Sequence, residues 1–143
     1  MALKQIDYGT KEYNDMLHLR RVMLRKPLGL DFSSEDLEPD KTDILIAAFE
    51  EEKMLGCCQL TKIDNETLRL RQMAVPQEMQ GKGMGRAIMQ FAENLARDLR
   101  YKKIIMHARK PVTGFYEKHG YKICSDEFTE VTIPHFIMEK RLV

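Results

Sequence analysis

Residues 73–86 read MAVPQEMQGKGMGR, and the second half of this stretch, Gln80 to Arg86, contains three glycines. The stretch follows a segment with strand character and precedes one with helical periodicity. Because glycine has no Cβ, successive backbone N–H groups can converge on an anion, and the start of the following helix adds the positive end of its dipole. Lys82 and Arg86 add positive charge. The stretch therefore predicts a site for a phosphate-bearing ligand, such as a pyrophosphate.

Two common phosphate loops differ from this stretch. The nucleoside-triphosphate loop requires Gly-x-x-x-x-Gly-Lys-Ser/Thr, and the dinucleotide fingerprint requires Gly-x-Gly-x-x-Gly. The stretch satisfies neither, and Arg86 stands where the dinucleotide fingerprint needs its third glycine. Both cofactor classes are therefore disfavoured. The alternative interpretation is a glycine-rich turn between a strand and a helix, without a ligand.

Three β-rich segments precede the glycines. Ile44 to Phe49 and Met54 to Ile63 are separated by a charged turn, and a second turn leads into Leu68 to Val75. Runs of this length that are joined by short turns predict three consecutive antiparallel strands.

The segment after the glycines predicts a helix that lies on one face of the sheet. Its apolar stripe has three- and four-residue spacing and consists of Ile88, Ala92, Leu95 and Leu99. Glu93 and Arg97 are spaced for an i,i+4 ion pair. The remaining chain predicts a strand over Lys103 to Ala108, a helix over Val112 to Lys118 that ends at Gly120, and strands around Tyr121 to Cys124 and Phe136 to Arg141.

The first forty residues predict a strand, a helix and a loop. Leu3 to Tyr8 has strand character, and Thr10 can cap a helix whose apolar side runs from Tyr13 to Leu24. From Lys26 to Thr42, prolines, a glycine and serines break the pattern and leave room only for a short helix around Ser34 to Leu37. We expect this segment to be a mobile or substrate-facing loop.

Together these elements predict one α/β domain over residues 1–143, with a mixed sheet and helices on its faces. The chain is 43% hydrophobic, which is enough to bury a core without disulfides or a metal. Its 23 basic and 22 acidic residues nearly cancel, which disfavours a nucleic-acid partner. No run approaches the ~20 apolar residues that span a bilayer, so we expect no membrane partner.

The three cysteines are Cys57, Cys58 and Cys124, and none has the Cys-x-x-Cys spacing of zinc and redox sites. We expect all three to be small core residues in a reducing compartment. The N-terminal residues lack the long apolar core of a signal peptide. These features predict a cytoplasmic protein without a metal site.

Two blocks of the sequence resemble the signatures of the GNAT acetyltransferases. Met73–Pro76 followed by Gln80-x-x-Gly83-x-Gly85 resembles the acetyl-CoA signature, Gln/Arg-x-x-Gly-x-Gly/Ala after a strand that ends in an apolar-x-Val pattern. Gly114 to Tyr121 resembles the Phe-Tyr-x-x-x-Gly-Phe/Tyr segment of the family. Glu130 to Met138 is similar to the Glu-x-x-Ile-Pro-His-x-x-Met tail of small bacterial ElaA-like members. The resemblance extends from Ile44 to the C-terminus.

The resemblance implies a mixed, mostly antiparallel central sheet with helices on both faces and a splayed strand pair that holds the acyl-CoA. It implies acetyl-CoA as the co-substrate. The cofactor-binding positions that it implies are Met73, Val75, Gln80, Gly81, Lys82, Gly83, Met84, Gly85 and Arg86. Met73 and Val75 would act through their backbone, which pairs with the pantetheine arm like an added strand and polarises the thioester carbonyl.

The resemblance also implies a proton donor. Tyr116 matches the residue that protonates the departing CoA sulfur, although by itself an aromatic at this position is typical of helix packing. A proton must also leave the incoming ammonium, because a lysine-like amine has a pKa near 10.4. We take His135 as the first candidate for the acceptor of that proton, and His107, Glu130 or an ordered water as alternatives.

Three arginines extend the candidate site. Arg109 stands where many family members have an Asn that contacts the cofactor, and here it would meet a phosphate, an acidic acceptor or solvent. Arg69 and Arg71 share one face of a predicted strand by two-residue alternation. They would either face an acidic acceptor or project into solvent.

The function that these features favour is N-acetyl transfer from acetyl-CoA to a primary amine of a small molecule or a protein, by direct attack in a ternary complex. An acyl-enzyme on Cys57 or Cys58 is disfavoured, because neither residue has a partner base nearby in the sequence. The first alternative is a noncatalytic acyl-CoA-binding or sensing module, and a second is transfer of a longer acyl group. A homodimer is an open alternative to a monomer.

Overall fold

Eight strands form one mixed sheet in the computed structural model, which describes residues 1–143 apart from the side chains of Ser34 and Glu35. The strands are β1 (Ala2–Ile6), β2 (Ile44–Glu50), β3 (Lys53–Lys62), β4 (Thr67–Ala74), β5 (Lys103–Arg109), β6 (Lys122–Ile123), β7 (Phe128–Glu130) and β8 (Ile133–Arg141). Their order across the sheet is β1-β2-β3-β4-β5-β8-β6, and β7 pairs with the first residues of β8. The β4–β5 pair is parallel, and each other described pair is antiparallel. The predicted mixed, mostly antiparallel sheet is therefore confirmed.

Four α-helices connect the strands. They are α1 (Lys11–Arg20), α2 (Ser34–Leu37), α3 (Met84–Asp98) and α4 (Thr113–Lys118). Helix α1 continues into a π-helical turn, Arg21–Arg25, and short 3₁₀ turns flank the other helices. Thr10 caps α1 as predicted, because its hydroxyl accepts a hydrogen bond from the backbone N–H of Tyr13 at 3.2 Å.

The helices cover both faces of the sheet, as the alternation of side chains along β2 shows. Ile46 and Ala48 belong to the hydrophobic cluster that contains α3 and α4 residues. Leu45, Ala47 and Phe49 belong to the cluster that contains α1 residues. Because successive side chains of a strand point to opposite faces, a strand covered on both sides is a continuous apolar run.

Helix α3 lies close to β3 because Gly56 has no side chain. A Cβ at Gly56 would lie 2.6 Å from Ile88 Cδ1 and 3.3 Å from the backbone oxygen of Ala74. The buried residues of α3 are Met84, Ile88, Met89, Ala92, Glu93 and Ala96. The predicted apolar stripe is correct at Ile88 and Ala92 but wrong at Leu99, which is 50% exposed. The buried face of α3 continues from Ala92 to Ala96, four residues later, and does not reach Leu99.

The predicted ion pair between Glu93 and Arg97 is absent among the described side chains. Glu93 is buried and accepts hydrogen bonds from the Tyr121 hydroxyl and from Lys140 Nζ, each at 2.9 Å. Arg97 donates instead to the backbone oxygen of Leu142 at 3.2 Å. Contacts with residues distant in the sequence therefore replace the local ion pair of Glu93 and Arg97.

Strand β7 was not expected from the sequence. It forms a tight hairpin with β8 through Val131 and Thr132, which have positive φ values of 51° and 63°. Both central residues of such a turn need positive φ, which asparagine and glycine adopt more readily than β-branched residues. The Val-Thr dipeptide therefore gives no turn signal in the sequence.

The cysteine prediction is correct for two residues and wrong for the third. Cys57 and Cys58 are buried in the core, whereas Cys124 is exposed just beyond the short strand β6. No helix in the part of the chain that the structure describes is both long and apolar enough to cross a lipid bilayer.

A buried ion pair fixes the segment before β2 to α1 and β3. Arg20 Nη1 lies 2.8 Å from Asp40 Oδ2, and both side chains are fully buried. The same carboxylate accepts hydrogen bonds from the Tyr13 hydroxyl at 2.6 Å and from Gln59 Nε2 at 2.9 Å. A buried carboxylate is stabilised by several donors of this kind, so the pair anchors the Lys26–Thr42 segment near its C-terminal end.

We predict that Asp40→Asn lowers the free energy of unfolding by about 3–5 kcal/mol, because it leaves the Arg20 charge buried without a counter-charge. Urea unfolding followed by circular dichroism measures this change. Asp126→Asn is the matched control: it neutralises an exposed carboxylate, and we expect a change below about 0.5 kcal/mol. Equal stabilities of the two variants would contradict the role of the buried pair.

Candidate active site

Strands β4 and β5 separate halfway along their length. Their parallel register runs from Thr67 opposite Lys103 to Leu70 opposite Met106, and no further pairs follow. Strand β4 nevertheless continues to Ala74, while β5 continues to Arg109 in register with β8. A gap therefore opens between two adjacent strands of the sheet, which confirms the predicted splayed pair.

A β-bulge lies on the β4 side of this gap. Gln59 is opposite Arg71 and Cys57 is opposite Ala74, so β4 uses one residue more than β3 over the same length. Within this interval, Gln72 has a φ of +56°. A non-glycine residue in this conformation is uncommon, and such bulges redirect the backbone near functional sites.

A cavity of about 840 Å³ occupies the gap, which is within the range of small-molecule sites. The start of α3 forms one end of its wall, the exposed edge of β4 forms the middle, and residues of β5, β7 and β8 form the other end. Tyr116 of α4 and Arg25 after α1 also line it. All of the residues predicted for the cofactor, except Lys82, lie on this wall.

The glycines shape the loop between β4 and α3. Gly81 and Gly83 have φ values of +77° and +80°, and Gly83 is the N-cap residue immediately before α3. None of the described side chains caps the first N–H groups of α3, which leaves them available to an anion. The Gln80 side chain donates to the backbone oxygen of Val75 at 3.1 Å and joins the two ends of the loop. Lys82, between the two glycines, is exposed.

Tyr116 lines the cavity and is only 8% exposed. Burial, and to a smaller extent Cys58, raises the pKa of Tyr116 to about 12, while the charge of Arg109 opposes this shift. Among the described residues its hydroxyl has no hydrogen-bond partner. The phenol is therefore protonated at neutral pH and available to a ligand in the cavity.

Glu130 brings together three residues that the sequence analysis considered separately. Its Oε1 lies 2.9 Å from His107 Nδ1 and 3.7 Å from Arg69 Nη2, and its Oε2 lies 3.8 Å from His135 Nε2. Burial by itself raises the pKa of Glu130, but the hydrogen bond from His107 and the neighbouring positive charges outweigh it and hold the pKa below its ordinary value. Glu130 is therefore a carboxylate at neutral pH.

Hydrogen bonds orient the two histidine rings. His135 Nδ1 lies 2.7 Å from the backbone oxygen of Ile133, so Nδ1 carries a proton in the neutral ring and Nε2 is left as an acceptor near Glu130. His107 Nδ1 lies within hydrogen-bonding distance of both Glu130 and Arg69, at 2.9 and 3.0 Å. When His107 Nδ1 carries a proton, it donates a hydrogen bond to the carboxylate of Glu130.

The structure adds two charged cavity residues that the motifs did not identify. Arg25 and Asp36 come from the segment around the predicted substrate-facing loop, and both line the cavity. No spacing rule relates them to the glycine-rich stretch, so only the general position of the loop indicated their role. Among the described residues, no group of three or more His, Cys, Asp or Glu side chains is arranged to hold a metal ion.

Comparison with known proteins identifies the family of the chain. Residues 30–142 match the family model described as an acetyltransferase (GNAT) domain. The uncharacterized N-acetyltransferase YjcF of Bacillus subtilis is 27% identical over 131 residues, which cover 91% of this chain and 93% of that protein.

Two solved structures share the fold. Escherichia coli ElaA superposes with a TM-score of 0.85 at 16% identity and covers 98% of this chain and 99% of its own. An aminoglycoside 6'-N-acetyltransferase in complex with coenzyme A superposes with a TM-score of 0.84 at 17% identity and covers 100% of this chain and 98% of its own.

The fold and the site thus define an acetyltransferase enzyme whose co-substrate is acetyl-CoA. The chain belongs to the GNAT family.

We predict that Gly83→Ala weakens acetyl-CoA binding by roughly five- to thirtyfold, because an L side chain at this φ costs about 1–2 kcal/mol and the loop moves to relieve the strain. Isothermal titration calorimetry measures the affinity. Gly9→Ala is the matched control, since Gly9 has a φ of +78° and equally open surroundings but lies outside the cavity wall. An unchanged affinity in Gly83→Ala would argue against this loop as the phosphate site.

Proposed function

We propose that this enzyme transfers the acetyl group of acetyl-CoA directly to a primary amine of a small molecule or a protein, within a ternary complex. The observation that carries the proposal is that one cavity contains the glycine-rich start of α3, the open edge of β4, a buried tyrosine and the Glu130 cluster. Acetyl-CoA supplies an activated thioester. Residues of this cavity would bind it, donate a proton to the departing thiolate and accept a proton from the amine.

The residues at the glycine end of the cavity fit a pyrophosphate. The unpaired N–H groups at the start of α3 and the Arg86 side chain supply donors and positive charge. Beyond Leu70, the backbone of Met73 on β4, and of Val75 just after it, is not paired with β5, so it can bind an amide-bearing arm as an additional strand would. The start of α3 offers polar donors, and the β4 edge offers extended backbone without a partner strand. Both features support the proposed cofactor-binding residues.

Tyr116 is the proposed proton donor. Because the pKa is raised to about 12, the phenol keeps its proton over the whole range in which a primary amine is acetylated, and it can give that proton to a departing thiolate. A group with this pKa does not act as a base at neutral pH. Its burial and its place on the cavity wall favour this role over simple packing.

His135 is the proposed acceptor of the proton from the incoming ammonium. The hydrogen bond to Ile133 fixes the tautomer in which Nε2 is free, and the carboxylate of Glu130 stabilises the ring once it is charged. His135 is 4% exposed and lines the cavity, where it can accept a proton from an amine bound there. Glu130 therefore acts through His135 in this scheme.

Direct transfer is favoured over an acyl-enzyme. Burial raises the pKa of Cys57 to about 12 and that of Cys58 well above its ordinary value. Both thiols are therefore neutral and poor nucleophiles at physiological pH. Cys124 is exposed and does not line the cavity.

The test of this function is amine-dependent release of CoA thiol, compared between the wild-type protein and Tyr116→Phe. We predict that Tyr116→Phe lowers kcat by about a hundred- to ten-thousand-fold and leaves acetyl-CoA affinity nearly unchanged, because the ring keeps its packing and only the hydroxyl is lost. Equal kcat values would remove the proposed donor role. Acetyl-CoA binding without thiol release, for any amine, would favour the noncatalytic alternative.

Tyr121→Phe is the matched control for this experiment. It also removes a buried phenolic hydroxyl, but Tyr121 donates to Glu93 and does not line the cavity. We expect it to reduce stability by about 1 kcal/mol and to leave kcat unchanged. A parallel loss of kcat in both variants would indicate a general effect on folding.

We predict that His135→Gln lowers turnover about a hundredfold at pH 7 and that the deficit shrinks as the pH rises toward the pKa of the free amine, near ~10.4 for a lysine-like acceptor. At high pH the amine arrives deprotonated and needs no acceptor, so the variant recovers. His18→Gln, on the exposed side of α1, is the control. Parallel pH–rate profiles for wild type and His135→Gln would reject His135 as the acceptor.

A further inference from the structure

The end of the cavity opposite the glycine-rich loop is rich in arginine. Arg69 and Arg71 lie on the same face of β4, immediately before the bulge at Gln72, and both line the cavity. Their side chains are 26% and 19% exposed, so most of each side chain is shielded from solvent. Burial, followed by the charge of Arg71, lowers the pKa of Arg69, in accord with two neighbouring guanidinium groups.

Each of these guanidinium groups is held through one terminal nitrogen. Arg71 Nη1 lies 3.4 Å from Thr61 Oγ1 and 3.6 Å from Asp43 Oδ2. Arg69 Nη2 contacts the Glu130–His107 pair, and its buried Nε has no partner in the described part of the chain. Because a guanidinium carries five N–H donors, most donors of both residues make no hydrogen bond in the part of the chain that the structure describes.

Two more arginines add to the positive charge of the cavity. Arg25 lies over the ring of Phe32 at 4.9 Å, and Arg109 Nη2 donates to the backbone oxygen of Leu24 at 3.4 Å. Apart from Arg86 at the glycine-rich loop, the described lining thus contains four guanidinium groups and two carboxylates, Asp36 and Glu130. A partly buried excess of positive charge is stabilised by a bound anion.

We propose that the acceptor is an amine that also carries an anionic group, a carboxylate or a phosphate, and that Arg71 with Arg69 binds this group. The proposal rests on the proposed amine transfer and narrows its substrate class. Glu130 lies beside His135, the proposed proton acceptor, and places negative charge near the ammonium end of the same molecule. A polyamine or another polycation would instead place additional positive charges against four guanidinium groups.

Matched acceptors test this specificity. The panel contains β-alanine against β-alaninamide, phosphoethanolamine against ethanolamine, and spermidine as the polycation. We expect kcat/KM to be at least about tenfold higher for the anionic member of at least one pair, because a charge-assisted bidentate contact is lost in its neutral partner. The pair with the larger ratio distinguishes a carboxylate from a phosphate.

The same panel is measured with Arg71→Gln. We expect kcat/KM for the preferred anionic amine to fall at least about tenfold and that for its neutral partner to change less than about threefold, so that the preference collapses. Lys62→Gln removes an exposed cation from the neighbouring strand β3, outside the cavity wall, and should keep the wild-type preference. Equal or better turnover of the neutral amines or spermidine would overturn the proposal, as would a preference that Arg71→Gln leaves intact.

A binding measurement separates this inference from the proposed function. Calorimetric titration of each amine into the complex of the protein with CoA requires no turnover. If acetyl-CoA binds but no amine releases thiol, the proposed transfer fails. In that case, Arg71-dependent binding of an anionic amine would still support the specificity inference, and equal binding of charged and neutral partners would overturn it.

Discussion

The separation of β4 from β5 after Leu70 and Met106 is the constraint on which the site depends. Inside a sheet, an interior strand edge normally pairs every N–H and C=O, and a buried group without a partner costs about as much as a lost hydrogen bond. Here β5 keeps its pairs with β8, while β4 leaves part of one edge open and bends at Gln72. The gap therefore both creates the cavity and supplies main-chain groups that a ligand can pair.

The acceptor end of this cavity is connected by polar contacts to the buried interior of the N-terminal half. Gln59 Nε2 donates to Asp40 and to Asp43, at 2.9 and 2.7 Å, and Asp43 in turn accepts from Thr61 at 2.6 Å. Arg71 lies beside Asp43 and Thr61 at the end of this series. Residues before β2 thus help to position an arginine on β4, so a segment outside the two signature blocks also shapes the acceptor end.

The predicted strands from β2 to β5 agree with the structure to within one residue at each end, because short turns and apolar runs determine them locally. The partners of Glu93, in contrast, depend on the tertiary structure. Its spacing from Arg97 favours a surface ion pair, but Tyr121 and Lys140 lie beside it only after β6 and β8 have joined the sheet. The hairpin at Val131–Thr132 was missed for a related reason: tertiary contacts override the preference of β-branched residues for negative φ.

The same distinction explains why the cofactor end of the site can be read from the sequence and the acceptor end cannot. Apart from Tyr116, the proposed cofactor surface comes from one continuous stretch, residues 73–86, whose glycines have local conformational reasons for their positions. The acceptor end combines β4, β5, the β7–β8 hairpin and the segment after α1. Arg69 and Glu130 are neighbours only because the parallel β4–β5 pair and the antiparallel β5–β8 pair bring them together. Substrate specificity can therefore change through single residues on separate elements, while the cofactor motif stays the same.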